Sequence, residues 1–127
     1  MTTHRILVID DKRDAVAAIQ CVLELCGHEV DVAYDGAEGL ERARHVSPEV
    51  ILCDIGLPGA ADGYQVARAL RASDEFRSTF LVAVTGYAGE EDAKRAVAAG
   101  FDMHLAKPVD IHILLRLISE RFEDGPE

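Results

Sequence analysis

The stretch from Glu49 to Gly59 limits what this chain can fold into more than any other. Val50, Ile51, Leu52 and Cys53 are apolar without alternation, and the run ends on the carboxylate of Asp54, with Gly56 and Pro58 just beyond. A strand with one solvated face alternates; a strand buried on both faces does not. The run therefore predicts a central strand of a parallel sheet. Asp54 then stands at the carboxyl edge, where open α/β sheets hold their ligands. Three other apolar runs end the same way: Arg5 to Ile9 on Asp10-Asp11, Phe80 to Val84 on Thr85, and Met103 to Ala106 on Lys107-Pro108.

Helical patterns separate these runs. Ala15, Ile19, Val22, Leu23 and Cys26 fall on one face at helical spacing, and Gly27 stands where a helix end favours glycine. Glu29 to Ala33 alternates, which predicts a strand near an edge. Asp35 followed by Glu38 is a capping-box variant opening a helix through about His45. Tyr64 to Arg71 reads as a helix with Val66, Ala69 and Leu70 inward, and Ser73 to Thr79 as polar connection. Glu90, Glu91 and Asp92 favour the positive end of a helix that Gly100 closes. Asp110 caps a last helix with Ile111, Leu114, Leu115, Ile118 and Phe122 on its buried side. The order is (βα)5, which implies a parallel sheet with helices on both faces.

A length of 127 residues suits one domain, 1–127, with its core between about 4 and 122 and a disordered tail over 123–127. No apolar run is long enough to span a bilayer and no signal-peptide pattern opens the chain, so a cytoplasmic protein is expected. The net charge of −10 argues against a nucleic-acid surface. Cys21, Cys26 and Cys53 match no zinc spacing, and all three are expected to be buried, inert thiols. The histidines are scattered without ligand spacing.

Taken singly, each polar strand end has an ordinary explanation. One Asp of Asp10-Asp11 can cap a helix, Asp54 can form a turn, and Lys107 can be a solvated lysine. Four such ends on four successive strands make a sharper case. Adjacent carboxylates repel, so Asp10 and Asp11 point to a cation between them, and hard oxygens suit Mg²⁺. The set suits phosphoryl transfer to a carboxylate. Asp54 is the nucleophile, Asp10 and Asp11 hold the metal, and Lys107 and the Thr85 hydroxyl take the remaining phosphoryl oxygens.

With Asp10-Asp11, Asp54, Pro58, Thr85 and Lys107-Pro108 in this order, the sequence resembles the receiver domains of two-component response regulators from about His4 to Phe122. The resemblance implies the flavodoxin-like strand order 2-1-3-4-5. It implies Mg²⁺ on Asp11, Asp54 and the Gly56 carbonyl, with Asp10 acting largely through water. It implies a cis Lys107–Pro108 bond. Asp54 is then the phosphoacceptor from a sensor or hybrid histidine kinase, or from a histidine phosphotransfer protein. A phosphorylation-controlled switch results, acting on a downstream protein, with no independent substrate turnover and no output domain in this chain. The wording around Thr85-Gly86-Tyr87 and His104 to Asp110 is most similar to receivers fused to hybrid histidine kinases.

Three features depart from the family pattern. The loop glycine, Gly63, comes nine residues after Asp54 where the family commonly has eight, so an extra residue is expected to bulge outward and leave the Gly56 carbonyl on the metal. His104 stands at the switch position, usually Tyr or Phe, that works with Thr85. Turning inward disfavours a charged imidazole, so acid is expected to oppose activation. Tyr87 is an aromatic beside the site, expected to shield the phosphoryl group from water. Two other classes compete. A Mg²⁺-dependent phosphatase needs a second acid near the nucleophile, but Gly56 occupies the position two after Asp54. A flavodoxin-like binding domain needs a phosphate loop after the first strand, where Asp10-Asp11 repel phosphate.

Overall fold

Five strands form in the predicted places: β1 (Arg5–Ile9), β2 (Glu29–Ala33), β3 (Val50–Asp54), β4 (Phe80–Thr85) and β5 (Met103–Ala106). Five helices alternate with them: α1 (Arg13–Leu25), α2 (Gly36–Val46), α3 (Gly63–Arg71), α4 (Glu90–Ala99) and α5 (Ile111–Arg121). The computed structural model describes residues 3–86 and 89–122. All pairings are parallel, in the order β2-β1-β3-β4-β5. Every residue of β3 and β4 is buried, as unalternating runs require.

Alternation along the strands sends side chains into two separate cores. Leu7, Ile9, Ile51, Cys53, Leu81 and Ala83 face α2, α3 and α4. Ile6, Val8, Val50, Leu52, Val82 and Val84 face α1 and α5. Many of these side chains are fully buried, and each large one contributes about 1.5–3 kcal/mol. No helix among the described residues is long and apolar enough to cross a membrane.

Several local readings shift. On α1, Val16 and Leu23 are the buried positions, while Ala15 and Val22 are exposed. The cause is an apolar groove between α1 and α5, which leaves that side of α1 uncovered. On α3, Ala67 is buried and Ala69 exposed. A full capping box fixes the start of this helix: Asp62 accepts from Gln65 N at 3.0 Å, and Gln65 Oε1 accepts from Asp62 N at 2.9 Å. The helix therefore starts at Gly63, a residue earlier than its apolar pattern predicts. The stretch from Ser73 to Thr79 is not wholly polar connection. It holds a 3-10 turn, Asp74–Phe76, whose Phe76 is buried. Of the cysteines only Cys53 is buried; Cys26 is half-buried and Cys21 exposed, because α1 turns them away from the sheet.

Arg71 ties the far end of this architecture together. Its guanidinium donates to the carbonyls of Gly100, Phe76, Arg77 and Thr79 and to Asp102 Oδ2 at 2.8 Å. Asp102 Oδ2 also accepts from Leu81 N at 2.9 Å. The end of α3, the 3-10 turn, the start of β4 and the turn before β5 thus share one cation.

Candidate functional site

The parallel ladders bring the polar strand ends to one edge. Asp54 remains inside the ladder, opposite Val84, and Thr85 lies opposite Ala106. Each is the last residue of its strand and is paired on one side only, Asp54 with β4 and Thr85 with β5. Asp10 follows β1 directly, and its N–H donates to Ala33 O at 3.1 Å. Lys107 follows β5, and its N–H donates to Thr85 O at 2.8 Å. The Lys107–Pro108 peptide bond is cis.

Asp10 and Asp54 are each only 5% exposed, and Thr85 is also buried. Asp11 is exposed. Carboxylate oxygens of Asp10, Asp11 and Asp54 lie within 4.8 Å of one another. Lys107 Nζ enters this group, 3.1 Å from Asp54 Oδ1 and 3.5 Å from Asp10 Oδ2. Backbone donors fix the rotamers: Lys12 N–H donates to Asp10 Oδ1 at 3.0 Å, and Gly56 N–H to Asp54 Oδ1 at 3.2 Å.

The electrostatics follow from this packing. Burial raises the Asp10 pKa, the Lys12 N–H pulls it down, and the Asp54 charge raises it again, leaving it above the ordinary value. Burial works to lower the Lys107 pKa, but the hydrogen bond and charge of Asp54, with Asp10 behind it, outweigh burial and hold it above the ordinary value. Burial and then the charge of Asp54 push the Cys53 thiol far up, so it stays protonated and inert. Three carboxylates facing one ammonium leave unbalanced negative charge on hard oxygens. That donor set fits a small divalent cation such as Mg²⁺, which takes one or two carboxylates and keeps several waters.

The structure thus brings Asp10, Asp11, Asp54, Thr85 and Lys107 to one edge. Gly56 is exposed at the start of the loop after β3. His104 lies on β5 opposite Ala83, two register steps before the Thr85–Ala106 pair. It is half-buried, and its Nε2 is buried with no hydrogen-bond partner among the described residues. Tyr87 lies outside the described residues. In the loop with the extra residue, Pro58, Gly59 and Ala60 are exposed, whereas Ala61 packs on the core between α2 and α3. Sequence reading missed the groove beside the site. It measures about 480 Å³ and is lined by Ala15, Ala18, Ile19 and Val22 of α1, by Val109 and Ile111, and by Asp10 and Lys107 of the cluster. Its signal was present as apolar positions on α1 in excess of those a buried stripe needs.

A buried pair of carboxylates bridged by a lysine, on the carboxyl edge of a 2-1-3-4-5 parallel sheet, defines a class of α/β switch proteins. The response regulator receiver domain model matches residues 6–119, and the chain belongs to that family, whose members are signalling switches. The transcriptional regulatory protein PrrA of Mycobacterium leprae is 36% identical over 108 residues, which cover 85% of this chain and 45% of that protein. The chain thus spans just under half the length of that relative. Protein PilH of Pseudomonas aeruginosa is 35% identical over 115 residues, covering 91% of this chain and 94% of PilH. Among solved structures, the chemotaxis protein CheY4 of Vibrio cholerae superposes with a TM-score of 0.87 at 25% identity, covering 94% of this chain and 98% of that one.

Proposed function

We propose that this chain is a Mg²⁺-dependent phosphoacceptor in a two-component phosphorelay, with Asp54 as the residue modified. The observation that carries the reading is the Asp54 carboxylate, buried at the sheet edge with Lys107 Nζ at 3.1 Å and Asp10 and Asp11 beside it. An Asp54 oxygen attacks phosphorus in a phosphohistidine, a P–O bond forms, and the P–N bond breaks with its electron pair going to the donor imidazole. The Lys107 ammonium and the Thr85 hydroxyl hold phosphoryl oxygens as charge develops on them. Asp10, Asp11, Asp54 and the Gly56 carbonyl would hold Mg²⁺, which neutralises charge on the phosphoryl oxygens when bound.

The phosphodonor is a sensor or hybrid histidine kinase, or a histidine phosphotransfer protein. The apolar groove between α1 and α5 supports that reading, because it opens directly onto Asp10 and Lys107 and suits the side of a partner helix. Thr85 and His104 form the switch that reports the modification to a downstream protein, and Tyr87 shields the phosphoryl group. The domain occupies the whole chain, in the cytoplasm, and turns over no independent substrate.

Intact mass after incubation with acetyl phosphate tests the chemistry. One phosphoryl group is expected, only with Mg²⁺ present, and none on Asp54→Ala. Undiminished labelling of Asp54→Ala, or labelling that ignores EDTA, refutes the reading.

A further inference from the structure

The loop that joins Asp54 to α3 is held at two points by backbone approaches too close for any side chain. At Gly63, a Cβ would lie 2.5 Å from Asp54 O and 2.6 Å from Ile55 Cα. Gly63 N–H also donates to Ile55 O at 3.0 Å. The first turn of α3 therefore rests on the backbone that carries the site carboxylate. At Gly36, the first residue of α2, a Cβ would lie 2.6 Å from Ala61 O and 2.9 Å from Ala61 Cβ. This seats the far half of the same loop against α2. Neither φ is positive, so close approach alone demands glycine at both positions.

The atoms met at Gly63 decide what a side chain there does. They are all main chain, so no rotamer change relieves the contact. By contrast, the three atoms nearest a Cβ at Gly39 all belong to the Ile9 side chain. The contact at Gly63 is relieved only by moving backbone, and the backbone on one side of it is that of Asp54 and Ile55. The Asp54 carboxylate hangs from that backbone, and Gly56, whose N–H holds Asp54 Oδ1 at 3.2 Å, is the next residue along. Both proposed metal ligands of this segment shift together. The extra loop residue makes the second contact significant. Pro58 to Ala60 are exposed, and the chain re-enters the fold at Ala61, on Gly36.

We propose that Gly63 and Gly36 are positioning residues for the metal: their missing side chains fix where the Asp54 carboxylate and the Gly56 carbonyl stand. The inference rests on the reading above that these groups hold Mg²⁺.

The test is a Mg²⁺ titration of the full chain followed by backbone amide NMR, with a thermal melt of each variant. Gly63→Ala is expected to weaken Mg²⁺ binding about tenfold, the size of effect typical of groups that support metal ligands. Gly36→Ala, acting one step further away, is expected to weaken it by a smaller but measurable factor. Gly100→Ala is the control. Gly100 has φ +116 and faces Arg71, far from the sheet edge that holds the carboxylates, so the change costs stability without touching the loop. Its Mg²⁺ affinity is expected to match wild type. Unchanged affinity in a folded Gly63→Ala overturns the proposal, as does an equal loss in Gly100→Ala. If Gly63→Ala does not fold, Gly36→Ala decides, and wild-type affinity there overturns it. A wild-type protein that shows no saturable Mg²⁺ binding instead refutes the underlying functional reading.

Discussion

Lys107→Met removes the one ammonium between two buried carboxylates and keeps most of the side-chain volume. At 3.1 and 3.5 Å, each attraction is on the order of 5 kcal/mol in an effective dielectric of about 20. Much of this is offset, because the variant no longer desolvates an ammonium whose side chain is 26% exposed. Two carboxylates nevertheless lose their counter-charge while staying buried, and the net loss should be about 2–3 kcal/mol without metal. For a domain of this size that is a fall of roughly 10 °C in melting temperature. Lys107 has a raised folded pKa, so its stabilisation is fully present below its unfolded pKa and fades as pH rises through the folded value. Urea unfolding at pH 7 therefore reads the whole effect. In EDTA the variant should be less stable by the stated amount. Saturating Mg²⁺ should close more than half of the gap, because a divalent cation supplies the missing charge. A double-mutant cycle with Asp54→Asn should return a coupling of about 1.5–3 kcal/mol. Equal stability of variant and wild type in EDTA, or a gap indifferent to Mg²⁺, refutes the reasoning.

Asp10 gives a pH prediction of definite sign. Its folded pKa is raised, first by burial, so metal-free stability should fall as pH rises through that folded value. Asp10→Asn should flatten that part of the curve, and the difference between the two unfolding profiles from pH 4 to 7 in EDTA isolates it; identical slopes would contradict the assignment. Arg71→Met should cost about 2–4 kcal/mol in urea unfolding, because it strips the guanidinium from several backbone carbonyls and Asp102 at once. A loss within the range of an ordinary surface substitution would show that water replaces it.

The strand cores were legible because a sheet covered on both faces leaves no reason to alternate. The strand ends were less so. Asp54 and Thr85 read as the first residues beyond an apolar run, yet both stay in the ladder, since parallel pairing depends on the backbone and not on side-chain polarity. The candidate site residues were picked out by type and order along the chain. Strand order 2-1-3-4-5 came from family resemblance, because periodicity says nothing about which strands are neighbours. Arg71 was invisible for a related reason. Its acceptors come from separate segments, so no window of sequence contains the motif. Phe76 was hidden by its charged neighbours Asp74, Glu75 and Arg77. Ala15 and Val22 misled because they carry the pattern of a buried face, and only the placement of α5 shows that nothing in the described chain covers it.

That uncovered groove has a thermodynamic consequence. Asp10 and Lys107 belong both to its lining and to the carboxylate cluster. Two surfaces that share charged residues cannot be filled independently. An occupant of the groove that draws the lysine away from the carboxylates makes the cluster more attractive to a cation. By reciprocity, the cation then strengthens binding of that occupant by the same factor. An occupant that presses the lysine inward reverses both effects together. The groove is therefore an energetic input to the site, and the sign of the coupling is set by which way one side chain moves.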